Sequence, residues 1–265
     1  MSEGRANLAT AAEANLVTHF TWVHRRTAGM RVAAEWGLVL ADSGLLTDTF
    51  NTVSAARLAG MDARCRIQSA LEWFGAVRRP FSWWVGPDSE PAGLGRLLEA
   101  AGLAAAEIEL AMSAALATLR LPDISLDGLD VRRARISAEL ADFARVVSGT
   151  PPDFLVARFY ELAAPALLAV ESPLRCYVGY LNGAAVATSE LAIGGGVVGI
   201  YNVATLEDYR RRGIGTALTI QPLIEARAEG YDTAILQAAA AGVGVYRRVG
   251  FEPFGQIVEY KPPAA

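Results

Sequence analysis

The sequence predicts an α+β fold in two tandem domains, each a mostly antiparallel, twisted sheet of mixed α/β type flanked by helices. Three observations carry this. Strand-like and helix-like apolar patterns alternate along all 265 residues, a length comfortable for two cores. Three apolar runs, 174–181, 184–193 and 197–205, are joined by Asn182-Gly183 and by Gly194-Gly195-Gly196, turns so short that the runs must pair antiparallel. Between the halves, LPDISLDGLD (121–130) combines Pro, Gly and Asp with no amphipathic period and reads as a linker. The expected boundaries are therefore 1–120, a linker at 121–130, and 131–265.

In the first half, residues 5–26 have helical apolar spacing, 30–40 and 49–53 look like strands, and 62–78 returns to helical spacing. Residues 81–85 read as a strand, Pro87 and Pro91 as a turn into the helix GLGRLLEAAG, and 105–117 as a strand or strand pair. After the linker, 131–136 is a strand, 137–148 a helix, and 153–170 a helix that Pro165 should kink or break. The three-strand meander follows. A helix at 214–229, a strand at 232–238, a short helix at 242–248 and a strand at 256–261 complete the chain.

Composition excludes several classes. A 52% hydrophobic, 20% charged chain is globular, and a net charge of −4 argues against a general nucleic-acid or anionic-membrane binder. The start, MSEGRANLATAAEANL, has no basic region followed by an apolar one, and the longest apolar stretches contain glutamates, so a cytoplasmic protein with no membrane span is expected. Cys65 and Cys176 have no CxxC spacing and read as free thiols. The two histidines, His19 and His24, stand about 140° apart around a helix and do not make a metal-ligand pair, so no metal is expected. Both read as structural or solvated, and the chain is poorly supplied for Ser-His or Cys-His nucleophilic catalysis.

The segment from Tyr201 to Thr216 runs from a strand directly into a helix start. The free backbone amides and the dipole of such a start form an anion site. Gly213 and Gly215 let the main chain approach a phosphate, and Arg210, Arg211 and Arg212 add charge, so a pyrophosphate ligand is expected. No Lys-Ser/Thr follows the glycines, as a Walker loop would require, and the third glycine of a dinucleotide fingerprint is missing.

The Arg-x-x-Gly-x-Gly of Arg210, Gly213 and Gly215 resembles the acetyl-CoA signature of the GNAT N-acetyltransferase superfamily. The preceding meander, the following strand TAILQA and the ending Val-Tyr246-Arg-Arg-Val-Gly250-Phe251 match that family's order over about 130 residues. The resemblance implies that Val203, Ala204 and Thr205 offer main-chain groups to the pantetheine arm. It implies that Arg211, Arg212, Gly213, Ile214, Gly215 and Thr216 hold the pyrophosphate, with Tyr246 beside the thioester sulfur. In such a reaction a neutral amine attacks the thioester carbonyl and coenzyme A leaves as a thiolate, which a phenol can protonate or hydrogen-bond. An alkylammonium of pKa about 10 is ~0.1% neutral at pH 7, so a base must offset roughly 4 kcal/mol. Glu190, the one carboxylate in the apolar meander, is the candidate base. Two departures stand out: Leu236-Gln237-Ala238 lacks an Asn that relatives carry, and Pro222 falls inside the pyrophosphate helix, where it should bend it.

The first half looks like a degenerate copy. Asn51 to Trp83 spans 32 residues, as does Asn202 to Ala234. In this register Asp62 and Arg64 replace Gly213 and Gly215, and Leu98 falls near Tyr246. A carboxylate there repels pyrophosphate while capping its own helix, so no cofactor is expected in this half. Trp36, Trp73, Trp83 or Trp84 could line an acceptor cleft. The function expected is acetyl transfer from acetyl-CoA to a primary amine of a small molecule. The alternatives are a non-catalytic acyl-CoA-binding module and a protein acetyltransferase acting on Lys or an N-terminus. The partner expected is the small-molecule amine, and a homodimer is compatible with the sequence.

Overall fold

The computed structural model describes residues 2–60, 62–119 and 126–263. In chain order the elements are α1 (Ser2–Thr21), β1 (Arg31–Glu35), β2 (Leu38–Asp42), β3 (Thr52–Ser54), α2 (Ala63–Ala76), β4 (Ser82–Val85), α3 (Leu94–Ala100) and β5 (Ala104–Ala115). Then come β6 (Leu129–Arg133), α4 (Ser137–Val147), α5 (Phe154–Leu167), β7 (Leu174–Leu181), β8 (Ala184–Gly194), β9 (Val197–Thr205), α6 (Ile214–Ala228), β10 (Thr233–Ala238), α7 (Val243–Val249) and β11 (Glu252–Lys261). Residues 121–125 of the expected linker lie outside the described residues, and its end already forms a turn into β6. No helix among the described residues is long and apolar enough to cross a membrane.

Several local readings change. The stretch 30–40 is a hairpin rather than one strand, because Trp36 (φ 57°) and Gly37 (φ 75°) adopt the paired positive-φ geometry of a tight turn. Asn182 (φ 51°) and Gly183 (φ 84°) form the turn their sequence announces. The last strand begins at Glu252, four residues early. Pro165 and Pro222 break neither helix. At Pro222 the compensation is visible: proline leaves the carbonyl four residues back without its helical donor, and the Ser189 hydroxyl donates to Leu218 O at 2.6 Å.

The strands form one eleven-stranded sheet in the order β1-β2-β3-β4-β11-β5-β10-β9-β8-β7-β6. Among the described strand pairs, only β3–β4 and β9–β10 are parallel. These are the equivalent pairs of the two halves, each bridged by one long helix, α2 or α6, which agrees with the repeat seen in the sequence. The halves also exchange strands. β5 of the first half pairs with β10, while β11 of the second pairs with β4, and the two exchanged strands lie against each other.

Alternation along the strands sends two cores to opposite faces. On one face Tyr177, Leu191, Val198, Ile200 and Leu236 pack under α6, and Leu40, Val53 and Trp83 pack under α2 and α3. On the other, Cys176, Val178, Ala192 and Tyr201 pack against α4, α5 and α1. α1 belongs by sequence to the first half but sits on β8 and β9 of the second. Its fully buried Asn15 donates to Ala192 O (2.9 Å), Gly194 O (3.1 Å) and Val197 O (3.1 Å) and accepts from the Tyr201 hydroxyl (2.9 Å). The glycines of the β8–β9 turn make room for the helix. A Cβ at Gly195 would lie 2.3 Å from Ala11 O, and one at Gly199 2.3 Å from Asn15 Oδ1.

Candidate active site

The site begins where two parallel strands part. β9 and β10 are paired only at Val198, Gly199 and Ile200, opposite Ala234, Ile235 and Leu236. Beyond that point β9 bulges at Asn202 (φ 53°) and runs on to Thr205, still paired to β8 through Ala204 and Thr205. The β10 side of Val203, Ala204 and Thr205 therefore faces a wedge, with a strand's backbone groups open to an extended ligand.

At the mouth of the wedge stands the start of α6. Gly213 (φ 83°) enters the helix in a left-handed conformation that a side chain would strain, and no side chain caps the end. The first helical bond runs from Ala217 N to Gly213 O at 3.1 Å. The amides of Ile214, Gly215 and Thr216 precede it and have no helical acceptor. In the equivalent first-half helix Asp62 accepts from Cys65 N at 3.2 Å. One start is thus closed by its own carboxylate and the other is left open, beside the exposed Arg211 and Arg212. Arg210 and Arg212 are also tethered to the loop, donating to Thr205 O (3.0 Å) and Asp208 O (2.8 Å). The resulting groove is lined by Thr205, Gly213, Gly215, Thr216 and Arg248. Open amides, a helix dipole and two guanidinium groups fit a pyrophosphate.

Tyr246 lies on α7, its ring edge-on to Phe251 at 6.2 Å and close over Gly242. Burial, with Glu109 adding negative charge nearby, pushes its phenol up to about 12. Against a thiol of ordinary pKa near 8.5, transfer of the proton to a thiolate is uphill by about 5 kcal/mol. A phenol raised this far is better suited to hydrogen-bond donation than to proton transfer.

Glu190 is on the opposite face from α6, buried to 2%. Its Oε1 lies 2.7 Å from His19 Nδ1, and its Oε2 accepts from Asn202 Nδ2 at 3.3 Å. The imidazole is stacked flat on Tyr201, with centroids 4.1 Å apart at 4°. These groups line an open-mouthed cavity of about 80 Å³, whose walls include Phe20, Phe50, Phe159 and Tyr160. Phe50 and Phe159 stack at 3.6 Å across the two halves. The cavity meets β9 at Asn202, next to Val203 at the opening of the wedge. His24 also reaches it, bonding Phe50 O through Nε2 at 2.8 Å, and burial lowers its pKa to about 4 so that it stays neutral.

The tryptophans proposed as lining are not there. Trp83 is fully buried under α2 and α3, Trp36 and Trp73 pack on the same core, and Trp84 meets Phe20 at 5.6 Å. Nothing local in the sequence marks His19 as more than a structural or solvated residue. The available signal was Glu190 itself, since a carboxylate buried in an apolar strand demands a donor or cation. No group of three or more His, Cys, Asp or Glu among the described residues could hold a metal.

Residues 172–253 match the family model of the acetyltransferase (GNAT) domain. Among solved structures, a GCN5-related N-acetyltransferase from Kribbella flavida is similar over 96% of both chains, with a TM-score of 0.72 at 19% identity. A tandem GNAT protein from the clavulanic acid biosynthesis pathway is covered to 95% by 100% of this chain (TM-score 0.62, 14% identity). A glucosamine N-acetyltransferase region of a fungal GH3 β-N-acetylglucosaminidase is similar to 92% of this chain and 34% of that one (TM-score 0.60, 13% identity). No curated protein sequence matches the chain.

Proposed function

With residues 172–253 as the GNAT acetyltransferase domain they match, we propose that this chain transfers an acetyl group from acetyl-CoA to the primary amine of a small molecule. The supporting observation is the continuity of groove, wedge and cavity along β9. An anion-ready helix start, an open strand edge at Val203, Ala204 and Thr205, and a buried carboxylate follow one another in the order a pyrophosphate, a pantetheine arm and an amine require.

Acetyl-CoA supplies the thioester. The residues of this chain bind and orient it: Arg211 to Thr216 hold the pyrophosphate, and a β9 amide near Val203 stabilises the carbonyl oxygen as it gathers charge. Glu190 draws the acceptor's ammonium into the cavity, and the Tyr246 hydroxyl hydrogen-bonds the departing sulfur. The aromatic enclosure favours a small amine over a protein chain.

The test is thiol release from acetyl-CoA across a panel of small amines and a Lys peptide, with Tyr246→Phe as control. Turnover of a small amine that falls about 10–100-fold in the variant, with unchanged acetyl-CoA affinity, supports the reading. Acetyl-CoA binding without turnover of any amine would instead favour a non-catalytic acyl-CoA-binding module. Turnover of the peptide alone would favour a protein acetyltransferase.

A further inference from the structure

We infer that His19, supplied by the first half, is the base that deprotonates the acceptor amine, and that Glu190 is the positioning residue that aims it; this step rests on the acetyltransferase reading. The geometry is that of a carboxylate–imidazole pair. Nδ1 is 2.7 Å from the Glu190 carboxylate, so its N–H donates there and Nε2 is left with the lone pair. Stacking on Tyr201 fixes the ring plane. Asn202 holds the other carboxylate oxygen, so the carboxylate is anchored at both oxygens. Nε2 makes no hydrogen bond among the described residues, and the imidazole lines the cavity with 17% of its side chain exposed.

Glu190 is a poorer base by position. Its side chain is 3% exposed, and both oxygens are engaged by groups that an incoming ammonium would have to displace. The imidazole reaches the substrate without breaking either bond. The groups around the pair do not compete for its proton near neutrality. Tyr160 on α5, Cys176 on β7 and Tyr201 on β9 are all held in their protonated forms by burial, and His24 is held neutral.

The balance is complete. The ammonium gives one proton to Nε2, from which it passes to solvent through the mouth of the cavity. The neutral nitrogen attacks the thioester carbon, the C–S bond breaks, and the second nitrogen-bound proton neutralises the departing thiolate. Products are the amide, coenzyme A thiol and one proton.

Two variants test this in the full chain. His19→Gln should lower kcat/KM for an alkylamine at pH 7 by about 10²–10⁴-fold while the KM for acetyl-CoA changes less than about twofold. The deficit should shrink to under about tenfold for methoxyamine, which is largely neutral at that pH and needs no base. Glu190→Gln should cost roughly 10–100-fold for the alkylamine and under about tenfold for methoxyamine, because an imidazole no longer aimed by its carboxylate is felt only where a base is needed. Equal His19→Gln losses for alkylamine and methoxyamine, loss of acetyl-CoA binding with them, or Glu190→Gln losses that are equal for the two amines would overturn the assignment. A wild type that turns over beside a His19→Gln variant within threefold of it would overturn this step alone. A wild type that acetylates no amine would remove the reading beneath it as well.

Discussion

Replacing Asn15 by Ala should destabilise the protein by roughly 3 kcal/mol. The side chain is fully buried, its two amide hydrogens are shared among three carbonyls of the β8–β9 turn, and its Oδ1 is the only acceptor the Tyr201 hydroxyl has among the described residues. Each buried polar group stranded costs about 1–3 kcal/mol. Alanine strands the Tyr201 hydroxyl and at least one carbonyl, which sets the total. For a chain of this size a kilocalorie moves Tm by about 2–4 °C, so the expected drop is roughly 6–12 °C by calorimetry or circular dichroism. Asn15→Asp refines the test. It keeps an acceptor for Tyr201 but turns a carboxylate toward three carbonyl oxygens, and should do no better than Ala. A Tm within about 2 °C of wild type for Asn15→Ala, or an Asp variant clearly more stable than the Ala variant, would refute the claim that this amide fastens α1 to the sheet.

Three further outcomes follow from the same structure. Ser189→Ala should cost about 1–2 kcal/mol by leaving Leu218 O without a donor, and adding Pro222→Ala should restore most of it, because residue 222 then carries the missing N–H; a double-mutant cycle by urea unfolding showing no coupling would exclude this. The Glu109 carboxyl is pushed up to about 7 by burial and by the neighbouring Glu107 and Glu259. Its folded pKa exceeds the unfolded value, so the stability it confers is full below about pH 4.5 and is lost as pH rises through 7. Glu109→Gln should therefore match wild type at pH 4 and melt several degrees higher at pH 8. Gly213→Ala, strained at φ 83°, should weaken acetyl-CoA binding at least tenfold in calorimetric titration while moving Tm by only a few degrees.

What could be read from the sequence was whatever is written locally. Asn182-Gly183 states its own turn geometry, and Gly213 and Gly215 stand where a helix begins, so the meander and the anion-ready end of α6 were legible. Trp36-Gly37 makes a comparable turn without an Asn or Gly in the first place, and the hairpin read as one strand. Partner choice was not legible at all. Nothing in 104–115 or 252–261 says that these strands lie between strands of the other half, because pairing at such separation is decided by the assembled sheet. His19 and Glu190 are 171 residues apart and meet only because α1 crosses to the second half. The open helix start lies on one segment, so its glycines mark it locally. The cavity draws on both halves, and the sequence does not mark which residues line it.

The traded strands also govern how this chain can be divided. Cut between residues 119 and 126, it would yield two pieces that each carry a strand belonging to the other. The second piece would expose the edge of β10 that β5 now covers and would hold out β11 with no neighbour. Such pieces are poor modules on their own but good complements, and mixed together they should reassociate as the halves of a split protein do. The two halves of the sheet therefore form one unit that cannot be taken apart without supplying the missing strand.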